Sequence, residues 1–245
     1  MHDSENARMF SRIAHRYDLL NRILSFNIDR RWRRRVVSAA DLPPGGRVLD
    51  ACAGTGDIAI DFTRYAKPSM IVGVDLSGGM IHVGRKKAVA PDLYADNSMA
   101  FVPSNPANGS LHWVNGDVLD LPFAAGSFDA VAVAFGLRNL TDYGRGIEEM
   151  TRVLRPGGRL VVLEFAPPGR GVFQYIYGAY LRVAVPVIGA IVSGNAGAYR
   201  YLASSVGDFL APDRVLGLMG AAGLRGLTAE KLTGGIAYVY AGEKR

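Results

Sequence analysis

The feature that most constrains this 245-residue chain is a succession of short apolar runs that alternate with helix-patterned segments, the first two ending on an aspartate. Val48-Leu49 closes at Asp50, residues 70–74 close at Asp75, and residues 111–114 lead into Asn115-Gly116-Asp117. Helical spacing of apolar residues fills 58–65 and 80–89 between them. Further strand-type runs at 128–135 and 159–165 flank a helix over 143–154, and Pro156-Gly157-Gly158 is expected to stop that helix. Strands joined through helical crossovers lie parallel and bury both faces of their sheet. With two late strand candidates at 224–232 and 236–241, the expected fold is α/β, a mostly parallel seven-stranded sheet with helices on both faces.

The organisation expected is one domain over 1–245. In residues 11–40 the apolar positions Ile13, Leu19, Leu20, Ile23, Leu24, Phe26, Ile28 and Trp32 recur at helical spacing and predict two or three short helices. Pro43-Pro44-Gly45-Gly46 separates this 1–42 segment from the 43–245 core. Helical segments near 172–193 and 199–209 form an insertion around 170–210, and another helix covers 213–222. The polar, Pro- and Asn-rich 91–110 stretch has no assigned role. Hydrophobic residues at 49% against 20% charged exclude a disordered chain. A single cysteine, Cys52, excludes an intramolecular disulfide, and histidines at 2, 15, 82 and 112 lack ligand spacing, so no metal is expected. The start lacks a secretory pattern, and the most apolar stretch, 183–192, is interrupted by Pro186 and falls short of the roughly 20 residues of a membrane span. A cytoplasmic location follows as the expectation.

The chemistry is expected at Asp50-Ala51-Cys52-Ala53-Gly54-Thr55-Gly56-Asp57, where a strand turns into a helix. Glycine lets a backbone bend sharply close to a ligand. Gly54-x-Gly56-x-x-Ala59 also satisfies the dinucleotide pattern, so a nicotinamide-dependent oxidoreductase stays open on the turn alone. Charge favours another ligand. Asp50 and Asp57 would oppose a diphosphate and attract the ammonium and sulfonium of S-adenosylmethionine, unless they serve only as turn and helix caps. Asp75, at the second strand's end, suits the hydroxyls of a ribose. Asp117 suits an adenine amino group and Val118 its ring. These positions succeed one another along the carboxyl edge of an open α/β sheet, where ligands bind.

These residues resemble class I S-adenosylmethionine-dependent methyltransferases, and more closely the ubiquinone/menaquinone biosynthesis C-methyltransferase family. The restricted stretches are Phe10-Ser11-Arg12-Ile13-Ala14 with Arg16-Tyr17-Asp18-Leu19-Leu20-Asn21, then Phe135-Gly136-Leu137-Arg138-Asn139-Leu140-Thr141-Asp142, and Arg152 to Leu160 continuing to Leu163-Glu164-Phe165. Ala198-Tyr199-Arg200-Tyr201-Leu202 and Leu232-Thr233-Gly234-Gly235-Ile236 extend the likeness over nearly the whole chain. The resemblance implies a Rossmann-like fold with an N-terminal helical lid, and transfer of a methyl group from S-adenosylmethionine to a ring carbon of a polyprenylated benzoquinol or naphthoquinol. It carries cofactor contacts to Thr55, Asp75, Asp117, Val118 and Ala134, the last replacing a frequent serine. Ala51-Cys52-Ala53 stands in place of a more usual Leu-Ala-Gly.

Ring methylation needs a phenolate to push electron density onto the neighbouring carbon. Arg138 is the first candidate to stabilise that charge or orient a proton-accepting water, with Asn139 and Asp142 as second choices. The competing assignment has Arg138 pairing with a carboxylate to hold its loop. Tyr17 and Asn21 in the lid, with Tyr199 and Tyr201, are expected to face the acceptor. Trp32 among Arg30, Arg31, Arg33, Arg34 and Arg35 has the composition of an interfacial anchor for anionic lipid, or of a solvated helix face. The same arginines leave an RNA methyltransferase as a further alternative, although no stacking array or nucleic-acid module accompanies them and none is expected as partner. A homodimer stays open.

Overall fold

The computed structural model describes residues 2–89, 110–167, 172–187 and 196–245. Two N-terminal helices, α1 (His2–Ser25) and α2 (Asp29–Ala39), precede β1 (Arg47–Ala51), α3 (Asp57–Tyr65), β2 (Met70–Asp75), α4 (Gly78–Val89), β3 (Ser110–Asn115) and β4 (Phe128–Ala134). A short 3₁₀ turn at Leu137–Asn139 leads to α5 (Tyr143–Val153), β5 (Leu154–Phe165) and α6 (Val172–Ala179), which passes directly into a π turn at Tyr180–Ala184. After α7 (Ala196–Gly207) and α8 (Pro212–Ala221) come β6 (Leu224–Leu232) and β7 (Ala237–Lys244). The seven strands form one sheet in the order β3-β2-β1-β4-β5-β7-β6. Only β7 runs against the others, wedged between β5 and β6.

The apolar runs make a sheet buried on both faces because their side chains alternate between two cores. Leu49, Val131, Val133, Leu160 and Val162 pack with Ile147 and Met150 of α5 and Val215 and Met219 of α8. Val48, Ala130, Ala132, Val161 and Leu163 face the other way, onto Val36 of α2 and Ile58 and Phe62 of α3. Each of the larger side chains among them, valine upward, contributes about 1.5–3 kcal/mol on burial. Parallel order sends the carboxyl ends of β1, β2 and β4 to one edge, and α1 lies over that edge. The hydroxyls of Ser11 (α1) and Ser77 meet at 2.7 Å.

Pro156-Gly157-Gly158 does not form a helix stop outside the sheet. α5 ends at Val153, Leu154 is already extended, and the Pro-Gly-Gly segment lies within β5, with Gly157 at φ +76°. The pairing jumps there from Phe128–Leu154 to Ala130–Arg159, so the extra residues are a bulge against β4. The N-terminal segment holds two helices rather than three. The 91–109 part of the Pro/Asn-rich stretch and the 188–193 end of the expected helix lie outside the described residues.

Candidate active site

A notch of about 100 Å³ sits at the ends of β1, β2 and β4, lined by Gly54, Asp75, Asp117, Val118 and Ala134, with Asn6, Ala7, Phe10 and Tyr17 of α1 above. Asp75 accepts hydrogen bonds from the backbone N–H of Gly54 at 2.7 Å and of Ser77 at 2.8 Å. Burial nevertheless pushes its carboxyl above the ordinary carboxylate range, against the pull of those two N–H groups. Asp117 accepts from the Leu119 N–H at 2.9 Å. The two glycines of the turn have different tasks. A Cβ on Gly54 would meet open space, whereas one on Gly56, at φ +80°, would stand 2.2 Å from the Trp113 ring. Gly54 thus faces open space, and Gly56 admits the tryptophan beneath the turn.

Asp50 is buried and accepts the Ala59 N–H at 3.0 Å, which ties the end of β1 to the first turn of α3. Burial holds its carboxyl well above the usual range. Asp57 does not supply the free negative charge expected of it. It is ion-paired with both Lys87 and Arg33. Burial would raise its pKa, but these two cations outweigh burial and lower it. Lys87 also holds Asp18 of α1 at 2.7 Å, and the Thr55 hydroxyl donates to Asp18 at 2.5 Å. Helix α1 is thereby fastened to the glycine turn through buried charge.

Beside the notch lies a larger, mostly apolar cavity of about 340 Å³. Tyr17, Asn21 and Tyr201 line it, and so do Ile13, Trp32, Phe165, Tyr177 and Leu181. Phe10, Tyr17, Cys52, Gly54, Ala134 and Phe135 line both spaces and form a shared wall. Arg138 stands in the apolar cavity. Its guanidinium bonds Glu164 at 2.7 Å and the Phe135 carbonyl at 2.5 Å, and lies 5.5 Å from the centre of the Phe165 ring. Its Nε is buried without a partner. Burial would lower the Arg138 pKa, but Glu164, itself fully buried, more than reverses that, so the cation persists. Arg138 therefore has both a carboxylate partner and a free donor.

Asn139 lines the notch, donates to the Phe135 carbonyl at 3.2 Å and accepts from the Tyr201 hydroxyl at 3.1 Å. Asn6 donates to the same hydroxyl at 3.0 Å. Asp142 is not brought to either space. It caps α5, accepting the Arg145 N–H at 2.9 Å, a task that its position before a helix dictates. The side chain of Tyr199 lies outside those described.

The fold alone leaves the chemistry open. A Haloferax volcanii putative methyltransferase in complex with its Trm112 activator matches with a TM-score of 0.64 at 15% identity, covering 96% of each chain. The [4+2]-cyclase SpnF matches with a TM-score of 0.60 at 16% identity, over 99% of this chain and 96% of that one. Sequence comparison is more specific. The model of the ubiE/COQ5 methyltransferase family matches residues 1–244. The chain belongs to this family. A demethylmenaquinone methyltransferase of Thermus thermophilus is 44% identical, over 96% of this chain and 100% of its own. One of Deinococcus radiodurans is 46% identical, over 97% and 91%. A ubiquinone/menaquinone biosynthesis C-methyltransferase of Geobacter sulfurreducens is 44% identical, over 96% and 87%.

In this member of the ubiE/COQ5 family the arginine cluster is not an aromatic anchor in a cationic patch. Trp32 is 5% exposed; its Nε1–H donates to the Thr233 hydroxyl at 3.0 Å and its ring packs on Phe135 and Phe165. Arg33 is held by Asp29, Asp57 and Asp61, Arg35 chelates Glu230, and Arg34 stacks over Tyr65. The physical reason is the helix face: Trp32, Val36 and Ala40 share the stripe that packs on the sheet. Sequence reasoning also missed Lys87, Trp113, Tyr177 and the role of Glu164. Only Glu164 carried a signal, as a carboxylate inside an apolar strand run that needs a buried cation. Among the described residues no helix is long and apolar enough to cross a membrane.

Proposed function

We propose that this protein transfers the methyl group of S-adenosylmethionine to a ring carbon of a demethylated polyprenyl quinol. The observation that carries the reading is the shared wall: a notch bearing Asp75 and Asp117, suited to a nucleoside, abuts a mostly apolar cavity whose lining includes Arg138, a buried cation with an unused donor. The residues present fit the cofactor, since the Asp75 carboxylate lines the notch and the space before Gly54 is open. Asp75 would hold the ribose hydroxyls, Asp117 the adenine amino group, and Val118 the ring face. Bound there, S-adenosylmethionine supplies an electrophilic methyl on a sulfonium.

The chain's own residues do the rest. The apolar walls exclude water and orient the acceptor ring, and alignment of this kind supplies about 7–11 kcal/mol of a barrier in favourable cases. The Arg138 Nε–H donates to the ring oxygen next to the reacting carbon and stabilises its negative charge, while Glu164 keeps the guanidinium fixed. Raised pKa values keep Arg138 and Tyr17 protonated, so both act as donors rather than bases. The order of charge stabilisation is thus set before the acceptor arrives. In this reading residues 1–42 are a lid on a single domain, and Tyr17, Asn21, Asn139 and Tyr201 position the acceptor. A nicotinamide reaction and an RNA substrate are not favoured, the latter because Arg33, Arg34 and Arg35 are already engaged within the fold.

The prenyl tail implies work at the inner face of a membrane. Support comes from the cavity mouth, where Phe26 and Ile176 line the apolar space and are 74% and 60% exposed. Vesicle co-sedimentation that survives charge reversal at Arg31 and Arg34 but fails in Phe26→Ser/Ile176→Ser supports this surface; a concentration-dependent dimer through it, without vesicle binding, opposes it. The main test is incubation with methyl-labelled S-adenosylmethionine and both demethylated quinols. Label on a ring carbon supports the proposal, and label on oxygen or no transfer to either quinol refutes it.

A further inference from the structure

The apolar cavity carries a second unsatisfied polar group besides Arg138 Nε. Tyr177, on α6, is 6% exposed and packs with Ile13, Leu181, Val185 and Val206, and its hydroxyl is buried with no hydrogen-bond partner. A phenol hydroxyl left alone in an apolar wall is unfavourable, and buried tyrosine hydroxyls normally find a partner. Tyr240 and Thr151 also bury unpartnered hydroxyl oxygens, but neither lines the notch or the apolar cavity. Tyr177 lines the cavity. The Arg138 guanidinium is close enough to act on the phenol, partly opposing the upward push of burial. Three residues after Tyr177 the helix widens into the π turn at Tyr180–Ala184, an irregularity that recurs where helices serve a site.

We propose that Tyr177 is a substrate-binding residue whose hydroxyl hydrogen-bonds the ring oxygen of the acceptor opposite the one at Arg138. The inference rests on the quinol reading and deepens it. A 1,4-dioxygenated ring needs polar groups at its two ends and apolar surface between, and the mostly apolar cavity has in its lining two residues, Arg138 and Tyr177, that each bury a polar atom without a partner. Two contacts of this kind fix the ring in its plane, so the carbon beside the Arg138-bound oxygen is presented to the shared wall. A ring with a single oxygen would engage Arg138 alone and be free to pivot.

The test is Tyr177→Phe, which keeps the ring and removes only the hydroxyl. Equilibrium binding of a short-chain demethylated 1,4-naphthoquinol, measured under reducing conditions with S-adenosylhomocysteine present, should weaken about five- to ten-fold, the loss expected of one neutral hydrogen bond. Binding of the analogue with the distal hydroxyl replaced by hydrogen should be the same in variant and parent, and Tm should not fall, because the hydroxyl has no partner to lose. Equal weakening for both ligands, unchanged binding of the quinol, or a lower Tm overturns the assignment. Binding is read apart from turnover. A parent protein that binds the quinol with this Tyr177 dependence but transfers no methyl group sinks the methyltransferase reading alone; a parent that binds no quinol sinks both.

Discussion

Lys87→Met removes the cation that fastens α1 to the glycine turn. Lys87 is 6% exposed, its ammonium stands 2.7 Å from Asp18 and 3.3 Å from the Thr55 hydroxyl, and it pairs with Asp57. Removing one partner of a buried ion pair costs about 3–5 kcal/mol, chiefly by stranding the other charge. Asp57 keeps Arg33 and its side chain is 28% exposed, so the lower end of that range applies, about 3 kcal/mol. For a chain of this size that is a Tm loss of about 6–12 °C. The pH dependence follows from the pKa directions. Asp57 lies below its unfolded value, so its contribution is present above about pH 4 and fades as pH falls through the lower folded pKa. Burial would lower Lys87, but Asp57 and Asp18 raise it, so its contribution is full below about pH 10 and fades at higher pH. Denaturation followed by circular dichroism should therefore show a constant deficit between about pH 5 and 9, shrinking outside that window. Adding Asp18→Asn should recover part of it. A deficit below about 1 kcal/mol, or none recovered in the double variant, would mean that the cluster is solvated and α1 is not fastened by charge.

Two further outcomes follow from the site. Asp75→Ala should weaken S-adenosylmethionine binding about 10- to 100-fold by calorimetry, from loss of a charged hydrogen-bond acceptor. In the parent protein that affinity should start to fall at a higher pH than an ordinary carboxylate would dictate, because burial raises the Asp75 pKa. Arg138→Lys keeps a cation beside Glu164 but removes the free Nε donor, so turnover should drop about 10²-fold with cofactor affinity unchanged.

Much of the sheet and the notch was legible because it depends on local chemistry. Aspartates ending apolar runs, a glycine turn and the switch between strand and helix spacing need no distant partner to be recognised. The bulge at Pro156-Gly157-Gly158 was hidden, since the same three residues end helices as readily as they bend strands. The arginine cluster misled for a different reason. Charge density along a window says nothing about which way each side chain turns, and the partners of Arg33 and Arg35 lie as far away as Asp61 and Glu230. Lys87 looked like any basic residue in the last turn of a helix, where the helix dipole favours it. Its burial is decided by α1 folding back over α4. Tyr177 had no signal at all, because a missing hydrogen-bond partner exists only once the cavity is formed.

The shared wall between notch and cavity is most directly examined by a crystal structure with S-adenosylhomocysteine and a demethylated short-chain naphthoquinol. The ribose is expected at Asp75, the thioether sulfur at the wall formed by Tyr17, Cys52 and Ala134, and the aromatic ring beyond it with one oxygen at Arg138. A nucleoside bound elsewhere, or an acceptor ring separated from the sulfur by an intact protein wall, would contradict it.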